Sequence, residues 1–244
     1  MAAARRYNAS VMIPLHDDNP TSTPPLVTVT LLVTCVLVFL WQLSLGDRLE
    51  QMIYSLGVIP ATVVGGATLS PELQVVPTWM TVFTSMFMHG GWMHLIGNML
   101  YLWIFGNNVE DAMGHAKFAV FYLLCGAAAA MAQALPDPDS TIPMIGASGA
   151  ISGVLGAYLL LYPHARVLVV VPLGILLYSL RVRAGVVLAF WFLMQLLSSA
   201  LSGSQEGGVA FGAHIGGFVA GMLLVSLFKH PQVRLFAPRH DDAS

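Results

Sequence analysis

The chain has 244 residues, of which 57% are hydrophobic even before its 23 glycines are counted, and only 9% are charged. Soluble domains carry about 25% charged residues, so this composition excludes a water-exposed globule and indicates a polytopic membrane protein. The formal net charge of −2 provides no basic stripe, which excludes nucleic acid as a partner.

A transmembrane helix needs about 20 apolar residues to cross a hydrocarbon core ~30 Å thick. Residues 1–25, with Asp17, Asp18 and the proline-rich stretch from Pro20 to Pro25, read as an N-terminal tail. The first apolar run, Leu26–Leu45, is too long for the apolar region of a cleavable signal and is expected to remain as the first span. Gly46–Gly91 reads as a large external loop. Its apolar pieces, Met52–Ile59, Trp79–Thr84 and Phe87, are expected to lie partly in the outer interface. Five more spans follow at Trp92–Asn107, Phe118–Leu135, Ser148–Tyr162, Ala184–Leu201 and Phe211–Phe228. Val167–Leu180 is also apolar, but Pro172 and Gly174 interrupt it and Val167–Val171 reads as strand. It is predicted to form an interfacial hairpin. Cys35 and Cys125 stand alone in apolar runs and read as small buried hydrophobes.

Six crossings put both termini on one side, together with Arg5, Arg6, Lys117, Arg166, Arg181, Arg183, Lys229, Arg234 and Arg239. Arg48 alone falls opposite, and the positive-inside rule makes the basic side cytoplasmic. The expected organisation is a cytoplasmic tail over 1–25, an all-α six-span domain over 26–228 and a cytoplasmic tail over 229–244, in the cell membrane.

Polar side chains inside spans mark function by default, because lipid cannot satisfy them. The second span opens His89-Gly-Gly-Trp-Met-His94-Leu-Ile-Gly-Asn98, and His94 and Asn98, four apart, share a helix face. The fourth opens Gly146-Ala147-Ser148-Gly149, and the sixth carries His214, Gly217 and Gly221 on one face. At ~1.5 Å rise per residue, Ser148 stands roughly 22 Å above the cytoplasmic end of its helix, and His94, Asn98 and His214 reach similar heights on theirs. Because the fourth helix is short, Ser148 begins it inside the bilayer, where the free amides of Ala147 and Ser148 and the helix dipole suit an oxyanion. Gly149, Ser152, Gly153 and Gly156 form a small-residue face that can pack closely on the glycines of the sixth span, bringing imidazole to hydroxyl.

With these residues the chain resembles the rhomboid family of intramembrane serine proteases, from the first span through the sixth. The set His-x4-His-x3-Asn, Gly-x-Ser-Gly and Ala-His-x2-Gly-x3-Gly carries the resemblance. It implies Ser148 as nucleophile and His214 as general base, with His94, Asn98 and the amides of Ala147 and Ser148 holding the oxyanion. Gly149, Ser152, Gly153, Gly217 and Gly221 would pack around the dyad. The implied substrates are transmembrane helices cut near their outer ends, with no cofactor. Two departures stand out. Met80 follows Trp79 where the family often has arginine, and Ser152 stands where many members have a tyrosine that stacks on the histidine.

Alternative readings separate on residues. A zinc site could draw on His89, His94 and His214, but the His-Glu-x2-His pattern is absent and no acid lies within a span to act as base. A transporter would carry intramembrane acids. A non-catalytic escort of transmembrane helices, like the inactive relatives of rhomboids, would lack the serine or the histidine. Without a carboxylate, packing alone is expected to fix the imidazole, and His89 is expected to cap the loop–helix junction.

Overall fold

The computed structural model describes residues 13–173, 176–201 and 210–237. Arg5, Arg6 and Arg239, and the 202–209 linker with Glu206, lie outside the described residues. The fold is mostly helical. Helix α1 (Leu26–Ser44) is followed by short helices α2 (Leu49–Leu56), α3 (Pro60–Val63) and α4 (Thr81–Thr84), then by α5 (Trp92–Met113), α6 (His115–Ala134), α7 (Ser148–Leu161), α8 (Ala184–Leu201) and α9 (Phe211–Phe228). Three of them, α1, α6 and α9, are long and apolar enough to cross a bilayer by length and composition. On α1, Leu31, Cys35, Phe39 and Gln42 are buried while Val29, Val33, Val36, Leu40 and Leu43 stay exposed. An apolar face of that extent, left outward, suits lipid rather than water.

The segment between α1 and α5 is packed, not trailing. Val58, Ile59, Val82, Met86 and Met88 are buried in it, and Val58 exchanges main-chain bonds with Met144 just ahead of α7. Gly114 takes φ +81°, a value that favours glycine, and this one residue turns α5 into α6.

Val167–Leu180 falls in an antiparallel hairpin, β2 (Arg166–Leu173) and β3 (Leu176–Arg183), in which Arg166 pairs with Arg183. The tail adds a third strand that its sequence did not announce. Strand β1 (Ile13–Asp17) runs antiparallel to β2, with an irregularity between Pro14 and His16. Pro14 tolerates this position because β1 is an edge strand.

The acids of the tail and of α5 tie this end together. Glu110, fully buried, accepts hydrogen bonds from Val27 N–H (2.8 Å), Thr28 N–H (2.7 Å) and Thr28 Oγ1 (2.6 Å), and pairs with His115 Nδ1 at 2.6 Å. It therefore caps α1 from a neighbouring helix, where the positive end of the dipole favours it. Asp111 accepts from the Thr23 hydroxyl at 2.6 Å and the Thr23 amide at 2.9 Å. Asp17, also buried, accepts from the Tyr158 hydroxyl at 2.6 Å and Asn108 Nδ2 at 2.9 Å.

The core contact is between α7 and α9. A Cβ at Gly217 would strike the carbonyl oxygen of Gly149, and one at Gly221 that of Gly153. Gly153 in turn faces the Cys125 side chain, so that cysteine serves as packing.

Two outcomes follow from these contacts. Gly217→Ala and Gly221→Ala are each expected to lower stability by about 1–3 kcal/mol, the usual cost of overpacking. Gly97→Ala, with nothing within 4 Å of the new methyl, leaves it unchanged or slightly raised. Thermal unfolding in detergent separates them.

Burial raises the pKa of Asp17 above its ordinary value, outweighing the hydrogen bonds that lower it. An acid raised in the folded state holds its proton more tightly there, so its contribution favours the fold at low pH and is lost as pH climbs through the folded value. Asp17→Asn should therefore match the wild type near pH ~4 and become the more stable of the two toward pH ~7, as read by unfolding across that range.

Candidate active site

Ser148 is the first residue of α7, and a helix of 14 residues is about 21 Å long, well short of a ~30 Å core. The first intrahelical bond runs from Ile151 N–H to Ala147 C=O at 3.0 Å. The amides opening α7 thus lack an intrahelical partner. Gly146, just before them, has φ +131° and donates its N–H to Ser85 C=O at 2.9 Å.

From α9, His214 places Nε2 2.9 Å from Ser148 Oγ. The glycine contacts of the two helices set this distance, since any side chain at Gly217 or Gly221 would wedge them apart. Gly149 and Gly156 extend the same seam, Gly156 against the Phe218 carbonyl. Ser152, one turn below Ser148 and buried, donates its hydroxyl to the Ser148 carbonyl at 2.7 Å and makes no bond to His214.

The α5 residues arrive from the other side. The His94 ring lies against Gly146. A Cβ on Gly146 would come within 2.7 Å of His94 Cε1 and Nε2 and 3.8 Å of Ser148 Oγ. Gly90 N–H donates to His94 Nδ1 at 3.3 Å. Asn98 is buried, and its Nδ2 has no hydrogen-bond partner among the described residues. That is an expensive state for an amide donor, and it leaves one available to a ligand. A small cavity of about 50 Å³ opens beside Ser148, bounded by Met86, Ala129, Ala130, Met144 and Gly146. Trp79, two-thirds exposed, sits in a turn and makes no bond into the site.

Sequence reading missed the glutamines. Gln42 of α1 donates to His89 C=O at 3.2 Å and accepts from its N–H at 2.9 Å. His89, buried with its ring 5.2 Å from that of His94, is thereby fixed just ahead of α5. Gln133 of α6 accepts from Ala213 N–H at 3.1 Å, next to the histidine. Gln195 of α8 lies with Oε1 2.8 Å from His214 Nδ1, and Trp191, one turn earlier, lays its ring 5.9 Å from the imidazole at 37°. The expectation that packing alone fixes the imidazole is therefore corrected: a side-chain hydrogen bond holds its second nitrogen. An amide inside an apolar run was the available signal, and it occurs at all three positions. Among the described residues no cluster of His, Cys, Asp and Glu could hold a metal.

The fold and these residues define a helical membrane protein with a serine and a histidine in contact between two of its helices. The family model of the rhomboid domain matches residues 76–231, nearly two thirds of the chain, which belongs to the rhomboid family. It is 30% identical over 161 residues to Rhomboid-like protein 11, chloroplastic, of Arabidopsis thaliana, covering 63% of this chain and 54% of that protein. It is likewise 30% identical over 161 residues to the Rhomboid protease GluP of Bacillus subtilis, covering 66% of this chain and 28% of GluP. With the Rhomboid protease AarA of Providencia stuartii it shares 25% identity over 211 residues, 81% of this chain and 70% of AarA. The chain thus spans about half of the Arabidopsis relative and under a third of GluP.

Proposed function

We propose that this protein is an intramembrane serine endopeptidase that cuts transmembrane segments near their outer ends. The observation that carries the reading is the 2.9 Å contact of His214 Nε2 with Ser148 Oγ at the start of a helix shorter than the hydrocarbon core, so that the serine falls within the membrane. In the proposed reaction His214 Nε2 takes the hydroxyl proton as Ser148 Oγ bonds to the scissile carbonyl carbon. The carbonyl oxygen becomes an oxyanion, received by the amides of Ala147 and Ser148 with Asn98 and His94. The C–N bond then breaks, and His214 returns the proton to the leaving amine. Water, deprotonated by the same nitrogen, next cleaves the acyl ester and restores Ser148.

The proposal includes six crossings, formed by α1 and α5–α9, with the 46–91 segment external. Both termini lie on the cytoplasmic side of the cell membrane, in accord with the basic residues. The six-span domain extends over 26–228. Helical carbonyls are tied up in i→i−4 bonds, so the bond to be cut must lie in a locally unwound stretch, beside glycine or proline.

Purified full-length protein is expected to cleave a transmembrane-helix substrate in liposomes, and Ser148→Ala and His214→Ala are each expected to abolish cleavage without loss of folding. A fluorophosphonate should label Ser148 and still do so in Ser152→Ala. Appreciable turnover in either dyad variant, or an adduct on Ser152, would overturn the assignment. Binding of helices with no cleavage by the wild type would instead mark an escort.

Asn98→Ala should lower kcat more than it changes KM, because an oxyanion donor acts on charge that develops in the transition state. Its cost should fall below the ~2.7–4 kcal/mol typical of a sole side-chain donor, since amides share the load. A rise in KM alone would make Asn98 a packing residue.

A further inference from the structure

The imidazole of His214 is held at both nitrogens. Nε2 faces Ser148 Oγ at 2.9 Å, and on the opposite edge Nδ1 faces Gln195 Oε1 at 2.8 Å. A neutral imidazole has one N–H and one lone pair, and an amide oxygen only accepts. The Gln195 contact therefore requires the proton on Nδ1, which leaves the Nε2 lone pair aimed at the serine. The opposite tautomer would present an N–H to the hydroxyl and could not take its proton. Building on the reading of His214 as general base, we infer that Gln195 is a positioning residue that holds His214 in its base-competent tautomer, the task an aspartate performs in a serine–histidine–aspartate triad.

Nothing else among the described residues does this work. No carboxylate bonds to His214, and α7 offers no help, because the Ser152 hydroxyl is spent on the Ser148 carbonyl. Helix α8 supplies two contacts from one face. Gln195 and Trp191 are four apart, so both point the same way. The Trp191 ring lies tilted beside the imidazole, centroids 5.9 Å apart, while Gln195 takes its edge. Trp191 is itself seated against Phe218, with centroids 6.0 Å apart, and Phe192 stacks on Phe218 at 4.4 Å. An amide also suits the place chemically. It accepts a hydrogen bond with no net charge, whereas a carboxylate at membrane depth carries a heavy desolvation cost. It orients the ring without strongly stabilising the imidazolium.

The test compares Gln195→Met, of similar length but without an acceptor, with Gln195→Glu, which restores one. The first readout needs no cleavage. In ¹⁵N-histidine NMR of the full-length protein in micelles, two-bond nitrogen–proton couplings locate the imidazole proton. It is expected on Nδ1 in the wild type and in Gln195→Glu, and on Nε2 or shared in Gln195→Met. The second readout is kinetic. Gln195→Met should lose roughly 10- to 100-fold in kcat with KM little changed, less than the ~10⁴-fold loss when a triad aspartate is made neutral. Gln195→Glu should recover most of that loss. A wild-type proton on Nε2, an unchanged kcat in Gln195→Met, or equal losses in both variants with the tautomer unmoved would each overturn the role of Gln195. Those results leave the dyad standing when Ser148→Ala remains inactive. Cleavage by Ser148→Ala would sink the dyad itself, whatever the NMR shows.

Discussion

The close approach of α7 and α9 is the constraint on which the site depends. Within a bilayer two helices gain nothing from hiding apolar surface, since the lipid around them is equally apolar. What holds them is contact, and contact here is backbone on backbone: the carbonyls of Gly149 and Gly153 occupy the space that side chains at Gly217 and Gly221 would fill. Ser148 and His214 stand at one end of this seam. Their separation follows from the absence of side chains below them rather than from any attraction of their own.

Around that seam the polar work is divided by charge. Carboxyl groups gather at the end formed by the tail, the sheet and the close of α5, where Glu110 and Asp111 receive the opening of α1 and its preceding turn. The site itself is organised by neutral amides from three helices: Gln42 on the His89 main chain, Gln133 on the Ala213 amide, Gln195 on the His214 ring. Each bond is directional, and none requires a charge to be taken out of water. A carboxylate in any of these positions would face a desolvation cost of several kcal/mol unless fully paired.

Much of this was legible in the sequence because it is local or periodic. Helices α8 and α9 begin and end where the apolar runs do, Pro172 and the valines around it marked a hairpin, and the glycine spacing marked two facing surfaces. The Ser152 hydroxyl had few outlets on a helix, and its bond to the carbonyl one turn back is among them. The rest depends on pairings between distant residues that carry no period. Gln195 and His214 lie 19 positions apart on different helices, and a lone amide in a span gives no hint of its partner. Strand β1 is five residues containing a proline, and only the prior existence of the β2–β3 hairpin gives it an edge to join. The burial of Asp17 follows from that docking and from Tyr158, 141 positions away.

Placing Trp191 and Gln195 together on α8 ties the setting of one ring to the position of one helix. A displacement of α8 by the width of a side chain would remove both contacts from His214 at the same moment. The imidazole would then be free to turn and its proton free to change nitrogen. Orientation at His214 is in this sense a mechanical reading of where α8 lies, and not the property of a single bond.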